Sequence, residues 1–228
     1  MENIFTSGCK EFGHPEFRIE FDANGILNSD ASFFGDLLTQ MVREGRRFEN
    51  DQSVQIGWSF TKVILEGDGF LTFREPDFKS MPIVWQRGLT NTLRHMRLHK
   101  DVLESLLSKE FLAIPSLRES CIICTNLNGT GRMMMDRQEP QAGISGWFFG
   151  CLDKEHDHNN VQFLRKVSLY EAVVNHAPMT LGYLGLPAGI LVLLGNGAPS
   201  FDHEGHTLEI LKGSYLDAVF GSGTEYQS

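Results

Sequence analysis

The sequence contains no long hydrophobic run. Across its 228 residues, no stretch approaches the roughly 18 to 20 consecutive apolar residues of a membrane-spanning helix. Residues 1–10 also lack the basic segment and apolar core of an export signal. We therefore expect a cytoplasmic protein that makes no contact with a membrane.

Basic side chains are fewer than acidic ones. The chain has 20 Lys and Arg residues against 29 Asp and Glu residues, which gives a formal net charge of −9. This sign disfavours nucleic acid as a ligand, because affinity for the phosphate backbone comes from Lys and Arg. An acidic surface instead suits a basic protein partner. We therefore expect a protein ligand rather than a nucleic acid.

Cysteine is scarce, with four residues at Cys9, Cys121, Cys124 and Cys151. Cys121 and Cys124 lie in a segment that is typical of a strand, where positions three apart face opposite sides of the sheet. These two thiols are therefore poorly placed to share a metal ion or a disulfide. We interpret the cysteines as buried, reduced thiols.

Motifs for nucleophilic catalysis and for dinucleotide binding are also missing. Residues 143–146 read Gly-Ile-Ser-Gly, which lacks the Gly-x-Ser-x-Gly spacing of a nucleophile elbow and precedes its strand instead of following it. Residues 195–197 read Gly-Asn-Gly, without the later glycine and the long helix that a dinucleotide site requires. We therefore predict no catalytic residue and no cofactor.

The residues that are present predict an α+β fold. Apolar residues make up 41% of the chain and charged residues 21%, which is typical of a folded protein. In the first half, the patterns predict strands at 17–21, 53–65 and 70–73, a helix from Ser29 to Gly45 and a second helix over about 88–107. In the second half, they predict strands near 121–125, 132–135, 146–151 and 190–194, and a helix over 168–176.

These elements predict two packed subdomains, each a small, mainly antiparallel sheet with helices on one face. Residues 108–119, which contain Pro115, are the best candidate for the join. We therefore expect an N-terminal subdomain over 1–113, a second over 114–195, and a C-terminal strand and tail over 196–228.

Two groups of histidines could bind a metal ion. His156 and His158, with Asp153 or Asp157, could ligate zinc if His203 or His206 completed the set. Because this spacing matches no established metal motif, the sequence favours a solvated acidic loop and no metal. A metal-dependent hydrolase that uses His156 and His158 to activate water remains the alternative.

His95 and His99 are four residues apart on the second predicted helix, a spacing that can also hold an ion. The residue after His95 is Met96, so the glutamate of the helical zinc-protease motif is missing. Arginines flank both histidines, and we predict that they lie on an exposed helix face.

Aromatic residues lie next to acidic ones in the second half, as at many protein interfaces. Aromatic residues on strands are also common in cores, so the acidic loop is the firmer part of this prediction. The predicted partner-binding residues are Asp136, Glu139, Trp147, Asp153, Glu155, His156, Asp157 and His158.

Residues 120–194 resemble the immunity protein thirty-three family of bacterial polymorphic toxin systems, also described as a domain of unknown function. The resemblance rests on the strand at 121–125, on Met133 to Arg137 with Glu139-Pro140, on Ser145-Gly146-Trp147-Phe148-Phe149-Gly150, on the acidic residues 153–160, and on Tyr183-Leu184 before Pro187. One position departs from the family pattern, which often has an aspartate before the serine where this chain has Ile144.

The resemblance implies an antidote that binds a cognate toxin and that needs no catalytic group of its own. The acidic charge favours a basic toxin, and a cytoplasmic antidote favours a toxin that acts in the cytosol, such as a nuclease. The resemblance also implies a role beside secretion systems such as type VI, with the toxin encoded nearby. The same composition is compatible with a chaperone or adaptor for a secreted effector.

Overall fold

The computed structural model describes residues 1–106, 113–127, 132–153 and 155–221. The chain divides into two compact units, Met1–Arg97 and Leu98–Ser228. Helices and antiparallel or mixed sheets are both present, so the predicted α+β class is confirmed. The predicted subdomain boundaries after residues 113 and 195 stay predictions.

The helices and strands follow one another in a fixed order along the chain. The first part contains β1 (Glu2–Phe5), β2 (Arg18–Phe21), α1 (Asn28–Arg43), β3 (Ser53–Ile56), β4 (Ser59–Leu65), β5 (Leu71–Pro76), β6 (Trp85–Arg87) and α2 (Thr90–Glu104). The second part contains β7 (Ser120–Cys124), β8 (Met133–Arg137), β9 (Ile144–Cys151), β10 (Leu164–Ser168), α3 (Leu169–Glu171), β11 (Ile190–Leu194), β12 (Ser200–His203), β13 (His206–Leu208) and α4 (Tyr215–Phe220).

The first unit packs α1 and two antiparallel sheets around an aromatic core. The sheets have the strand orders β1-β2 and β3-β4-β5-β6. Helix α1 buries Ala31, Phe34, Leu38 and Val42, which recur at helical spacing. The helix begins at Asn28 rather than after the predicted cap, and no side chain caps it. The apolar spacing therefore predicts which face of α1 is buried more accurately than it predicts where the helix begins.

The prediction of a single strand over residues 53–65 is wrong, because this segment forms two strands, β3 and β4. β3 and β4 form a hairpin in which Ile56 pairs with Ser59. Gly57 adopts a φ of 58°, a left-handed conformation that other residues rarely take. The buried positions change from even to odd numbers across this turn, as a hairpin requires.

The prediction that His95 and His99 lie on an exposed helix face is wrong. Only 7% of His95 and 1% of His99 is exposed. The Trp58 indole N–H donates to His95 Nδ1 at 3.0 Å, and His99 Nε2 lies 2.8 Å from the Leu181 carbonyl oxygen. The neighbouring arginines suggested an exposed face, but a histidine that makes hydrogen bonds can be buried.

The second unit contains a seven-stranded mixed sheet in the order β10-β7-β9-β8-β11-β12-β13. β7 and β9 are parallel, and the other neighbours in this sheet are antiparallel. One face is buried and carries Cys121, Ile123, Met133, Met135, Trp147, Phe149, Ile190 and Val192. The predicted helix over 168–176 is confirmed as α3, capped by Ser168 and continued by a wider π-helical turn over Ala172–His176.

Within the described residues, no helix combines the length and the apolar character needed to cross a bilayer.

Candidate functional site

The order of three strands brings four potential ligands to one edge of the second sheet. β7 and β9 run parallel, so Cys124 and Cys151, the last residues of these strands, lie at the same edge. After β9 the chain enters β10, which lies on the far side of β7. The connecting loop must therefore cross the end of β7, where it carries His156 and His158 over the two thiols.

The side chains of Cys124, Cys151, His156 and His158 converge at this edge, and their ligand atoms all lie within 4.8 Å of one another. The two sulfur atoms are 3.6 Å apart. His156 Nδ1 lies 3.0 Å from Cys124 Sγ and 3.2 Å from Cys151 Sγ, and His158 Nε2 lies 3.4 Å from Cys151 Sγ. Both cysteines are buried and both histidines are half-buried.

Short-range hydrogen bonds fold the loop that carries the histidines. Asp153 accepts a hydrogen bond from the Glu155 amide at 3.0 Å, and Asp157 accepts one from the Asn159 amide at 2.9 Å. Aspartates favour such turns because their short side chains reach the backbone two residues later. Two of the predicted acidic residues, Asp153 and Asp157, therefore stabilise turns of the loop and also contribute negative charge to it.

Aromatic contacts fix the orientation of the imidazoles. The ring of His156 packs edge-on against Phe163 at 4.5 Å between centroids, and the ring of His158 packs edge-on against Phe148 at 5.4 Å. The two imidazoles also meet at 5.3 Å. Contacts of this kind restrict ring rotation, so the nitrogen atoms stay directed at the thiols.

Burial disfavours the charged forms of groups in this cluster. It raises the pKa of the Cys124 thiol above its usual value. It also lowers the pKa of His158, and electrostatic repulsion from the neighbouring His156 imidazole lowers it further. In the absence of a cation, Cys124 and His158 are therefore neutral at neutral pH.

The second face of the sheet carries a mixed apolar and acidic surface that we call the outer face. It is formed by Ile122, Met134, Asp136, Phe148, Leu191 and Leu193, which are half-buried or exposed. Phe148 is paired with Ile122 on one side and with Asp136 on the other, and Asp136 is paired in turn with Leu191. Because directly opposite residues share a face, these side chains form a continuous row.

Two glycines of β9, within the segment that carries the family resemblance, lie where a side chain would clash with neighbouring atoms. Gly146 has a φ of 81°, and a Cβ atom there would approach the Gln138 carbonyl oxygen to 2.0 Å. A Cβ atom at Gly150 would lie 2.8 Å from the Phe148 ring and 3.0 Å from Met134 Cγ. These glycines therefore allow close approach at the start of β9 and on the outer face.

A buried arginine organises the opposite face. Arg137 is 2% exposed, and its guanidinium donates to the carbonyl oxygens of Ser145, Ala113, Leu184 and Leu186. Burial lowers the pKa of Arg137 to about 10, so the side chain remains charged at neutral pH. The Trp147 ring stacks near this guanidinium, and its indole N–H donates to the Leu184 carbonyl oxygen at 3.2 Å.

The structure brings some of the predicted partner-binding residues together and separates others. Asp136 lies on the outer face, and His158 contacts that face through Phe148. Asp153, Glu155 and Asp157 are exposed on the adjoining loop, and Glu139 is exposed beyond the end of β8. Trp147 is only 1% exposed and belongs to the buried face, so we leave it out of the proposed surface.

The sequence interpretation missed two residues of the cluster. It paired His156 and His158 with aspartates and with His203 or His206, whereas the structure pairs them with Cys124 and Cys151. Cys121 indeed lies apart, because it is buried on the other face of β7. The available signal was the spacing of Cys151, His156 and His158 directly after a strand.

Comparison with known sequences identifies the family that this part of the chain resembles. A search of curated proteins and a search of solved structures found no match. A family model does match, and the match spans β7 to β11, the loop that crosses β7 and the outer face. Residues 99–201 match the Imm33-like domain, which confirms the resemblance to the immunity protein thirty-three family that the motifs of residues 120–194 indicated.

Proposed function

We propose that this protein is a cytoplasmic immunity protein that binds a cognate bacterial toxin and neutralises it. The observation that carries the proposal is the match of residues 99–201 to the Imm33-like domain. The matched residues include those that form the outer face and the acidic loop over residues 152–160. An immunity protein acts by binding, so it requires a complementary surface and no catalytic group.

The outer face has the composition of a protein interface. Its apolar side chains, such as Phe148 and Leu191, are surrounded by Asp136 and by the carboxylates of the loop. Leu193 adds an exposed apolar group, with 37% of its surface accessible. Interfaces commonly combine an apolar centre with a polar rim, in which a few buried side chains supply most of the affinity.

Charge favours a basic partner. The second unit has 15 acidic and 9 basic residues, whereas the first unit has 14 and 11. Toxins that cut nucleic acids carry positive charge where they bind their anionic substrate. A nuclease of a polymorphic toxin system, delivered for example by type VI secretion, is therefore the partner that we propose. Binding at its active site, or at a surface needed for delivery, would block it sterically.

Co-expression with the toxin encoded next to this protein tests the proposal. The immunity protein should restore growth of cells that produce the toxin, and the two proteins should co-purify as a complex. The double variant Asp136→Lys and Glu155→Lys reverses charge on the outer face and on the loop, so it should weaken both rescue and binding. The double variant Asp36→Lys and Glu44→Lys, at two exposed positions outside the matched residues, makes the same change of net charge and is the matched control.

Deletion of the gene separates an antidote from an adaptor for secretion. Deletion of an adaptor reduces export of the effector while sibling cells stay protected, whereas deletion of an antidote exposes those cells to the toxin. The proposal fails if the wild-type protein neither restores growth nor binds the toxin.

A further inference from the structure

We propose that Cys124, Cys151, His156 and His158 form a structural zinc site at the edge of the second sheet. The inference goes beyond the proposed function, because it concerns the protein alone and holds whether or not a toxin is bound. It rests on the distances between the four side chains, on their chemistry, and on the way the fold positions them.

The distances between the side chains are close to the edges of a tetrahedron around zinc. With Zn–S bonds of about 2.3 Å and Zn–N bonds of about 2.0 to 2.1 Å, tetrahedral geometry places two sulfur atoms about 3.8 Å apart and a sulfur and a nitrogen about 3.5 Å apart. The two sulfur atoms here are 3.6 Å apart, and three sulfur–nitrogen pairs are separated by 3.0, 3.2 and 3.4 Å. An ion therefore fits between them with small shifts of the side chains.

The ligand set selects the metal. Two thiolates and two imidazoles form the Cys₂His₂ set of structural zinc sites. Magnesium and calcium prefer oxygen ligands, and the cluster contains none. Tetrahedral coordination by two sulfur and two nitrogen atoms is typical of zinc among the common metals of the cytoplasm.

The surrounding structure supports thiolate ligands. The Asn126 amide N–H points at Cys124 Sγ from 3.3 Å, and the Asn126 side-chain amide lies 3.9 Å from Cys151 Sγ. Hydrogen bonds of this kind stabilise the negative charge of metal-bound sulfur and orient the ligand.

Four protein ligands leave no position for water. A catalytic zinc ion keeps an open coordination position, whereas a structural ion is enclosed by four side chains. This argues for a structural role rather than for the hydrolysis that His156 and His158 alone could suggest. The ion would join the ends of β7 and β9 to the loop, and so hold the loop carboxylates of Asp153, Glu155 and Asp157 beside the outer face.

Metal analysis of the intact, tag-free protein tests the site. Protein grown with zinc should contain one zinc ion per chain after extensive dialysis. Cobalt replacement should produce the intense visible bands of tetrahedral Co²⁺ and the near-ultraviolet band of a thiolate bound to cobalt. Removal of zinc with a chelator should lower the thermal midpoint, and added zinc should restore it.

Matched variants connect the metal to these residues. Cys124→Ser and His158→Gln each remove one ligand, so each should reduce zinc affinity by at least about tenfold. His158→Gln changes a half-buried loop residue and keeps the test valid if Cys124→Ser does not fold. Cys121→Ser, on the same strand but outside the cluster, and His206→Gln, at an exposed position, should retain one zinc ion.

Two results would overturn the site. One is reduced, folded protein that contains no zinc and gives no tetrahedral cobalt spectrum. The other is purified protein in which Cys124 and Cys151 form a disulfide and, once reduced, still fail to bind zinc. The proposed function is judged separately, by growth rescue. A zinc-containing protein that fails to bind the toxin would contradict the proposed function and leave the metal site intact.

Discussion

Gly146 leaves no room for a side chain at the start of β9. Its φ of 81° is a conformation that residues with a Cβ atom rarely adopt, and a Cβ atom would meet the Gln138 carbonyl oxygen at 2.0 Å. Relief of that contact requires movement of the backbone between β8 and β9. This strand carries Cys151 at its other end, so the constraint bears on the position of the metal-binding cluster as well as on stability.

We therefore expect Gly146→Ala to lower the free energy of unfolding by about 2 kcal/mol or more, from backbone strain and from the displaced carbonyl. Urea denaturation followed by circular dichroism measures this change. Gly197→Ala is the control, since among the described residues no atom beyond its two chain neighbours lies within 4 Å of the position of its Cβ atom. Equal stability of the two variants would show that β9 can shift without strain.

Individual residues show how far the sequence predicts the site. His156, His158 and the acidic loop were identified because they lie within a few positions of one another. Cys124 could not be assigned to them, because it lies 27 residues before Cys151 and reaches it only through the parallel pairing of β7 with β9. Local spacing does not reveal a pairing of that kind.

Among the elements, α2 contains a buried histidine whose protonation opposes folding. His99 is 1% exposed, and its Nε2 interacts with the Leu181 carbonyl oxygen at 2.8 Å. Its Nδ1 has no hydrogen-bond partner among the described residues. Burial therefore lowers the pKa of His99 from its usual 6.5 to about 4.

The pH dependence of stability follows from this shift. Between pH 6.5 and pH 4 the unfolded chain binds a proton at His99 and the folded chain does not, so the free energy of unfolding falls as the pH is lowered through this range. The full loss is about 3 kcal/mol for a shift of this size. The contribution is complete above pH 6.5 and disappears near pH 4.

His99→Gln isolates this contribution, because glutamine keeps an N–H donor for the Leu181 carbonyl oxygen and does not titrate. We expect the stability difference between the wild type and this variant to change by about 3 kcal/mol over the range. Urea denaturation at several pH values measures it, with His206→Gln, at an exposed position, as the control. Parallel curves for the wild type and His99→Gln would contradict the assignment.

Helices and strands were largely predictable where their buried residues recur at a regular spacing on one face. The apolar spacing of Phe34, Leu38 and Val42 identifies α1, and α3 begins directly after Ser168, within one residue of its predicted start. The hairpin at Gly57 was missed, because both strands alternate and only the change of phase marks the turn. The order of the seven-stranded sheet depends on contacts between distant strands and has no local signal.

For the whole molecule, the uneven charge bears on how a partner would approach. The acidic excess is six residues in the second unit and three in the first, and the matched domain lies in the second unit. Long-range attraction of a basic toxin would raise the rate at which the proteins meet, while contacts on the outer face would set how long the complex lasts.

This division predicts a salt dependence that rests on the proposed function. Raising the ionic strength from about 0.05 M to 0.5 M shortens the Debye length from about 14 Å to about 4 Å, so the association rate constant should fall by about tenfold or more. The dissociation rate constant should change much less, because it reflects short-range contacts. Stopped-flow fluorescence measures association, and dilution of the complex measures dissociation.

The double variant Asp136→Lys and Glu155→Lys identifies the source of the effect. It reduces the negative charge at the outer face and on the loop, so its association rate should vary less steeply with salt than that of the wild type. The double variant Asp36→Lys and Glu44→Lys makes the same change of net charge at exposed positions of the first unit, and it should leave a steeper dependence because these charges lie outside the matched domain. Because both double variants change the net charge by the same amount, equal slopes would mean that net charge alone directs the encounter, and that the outer face has no special part in it.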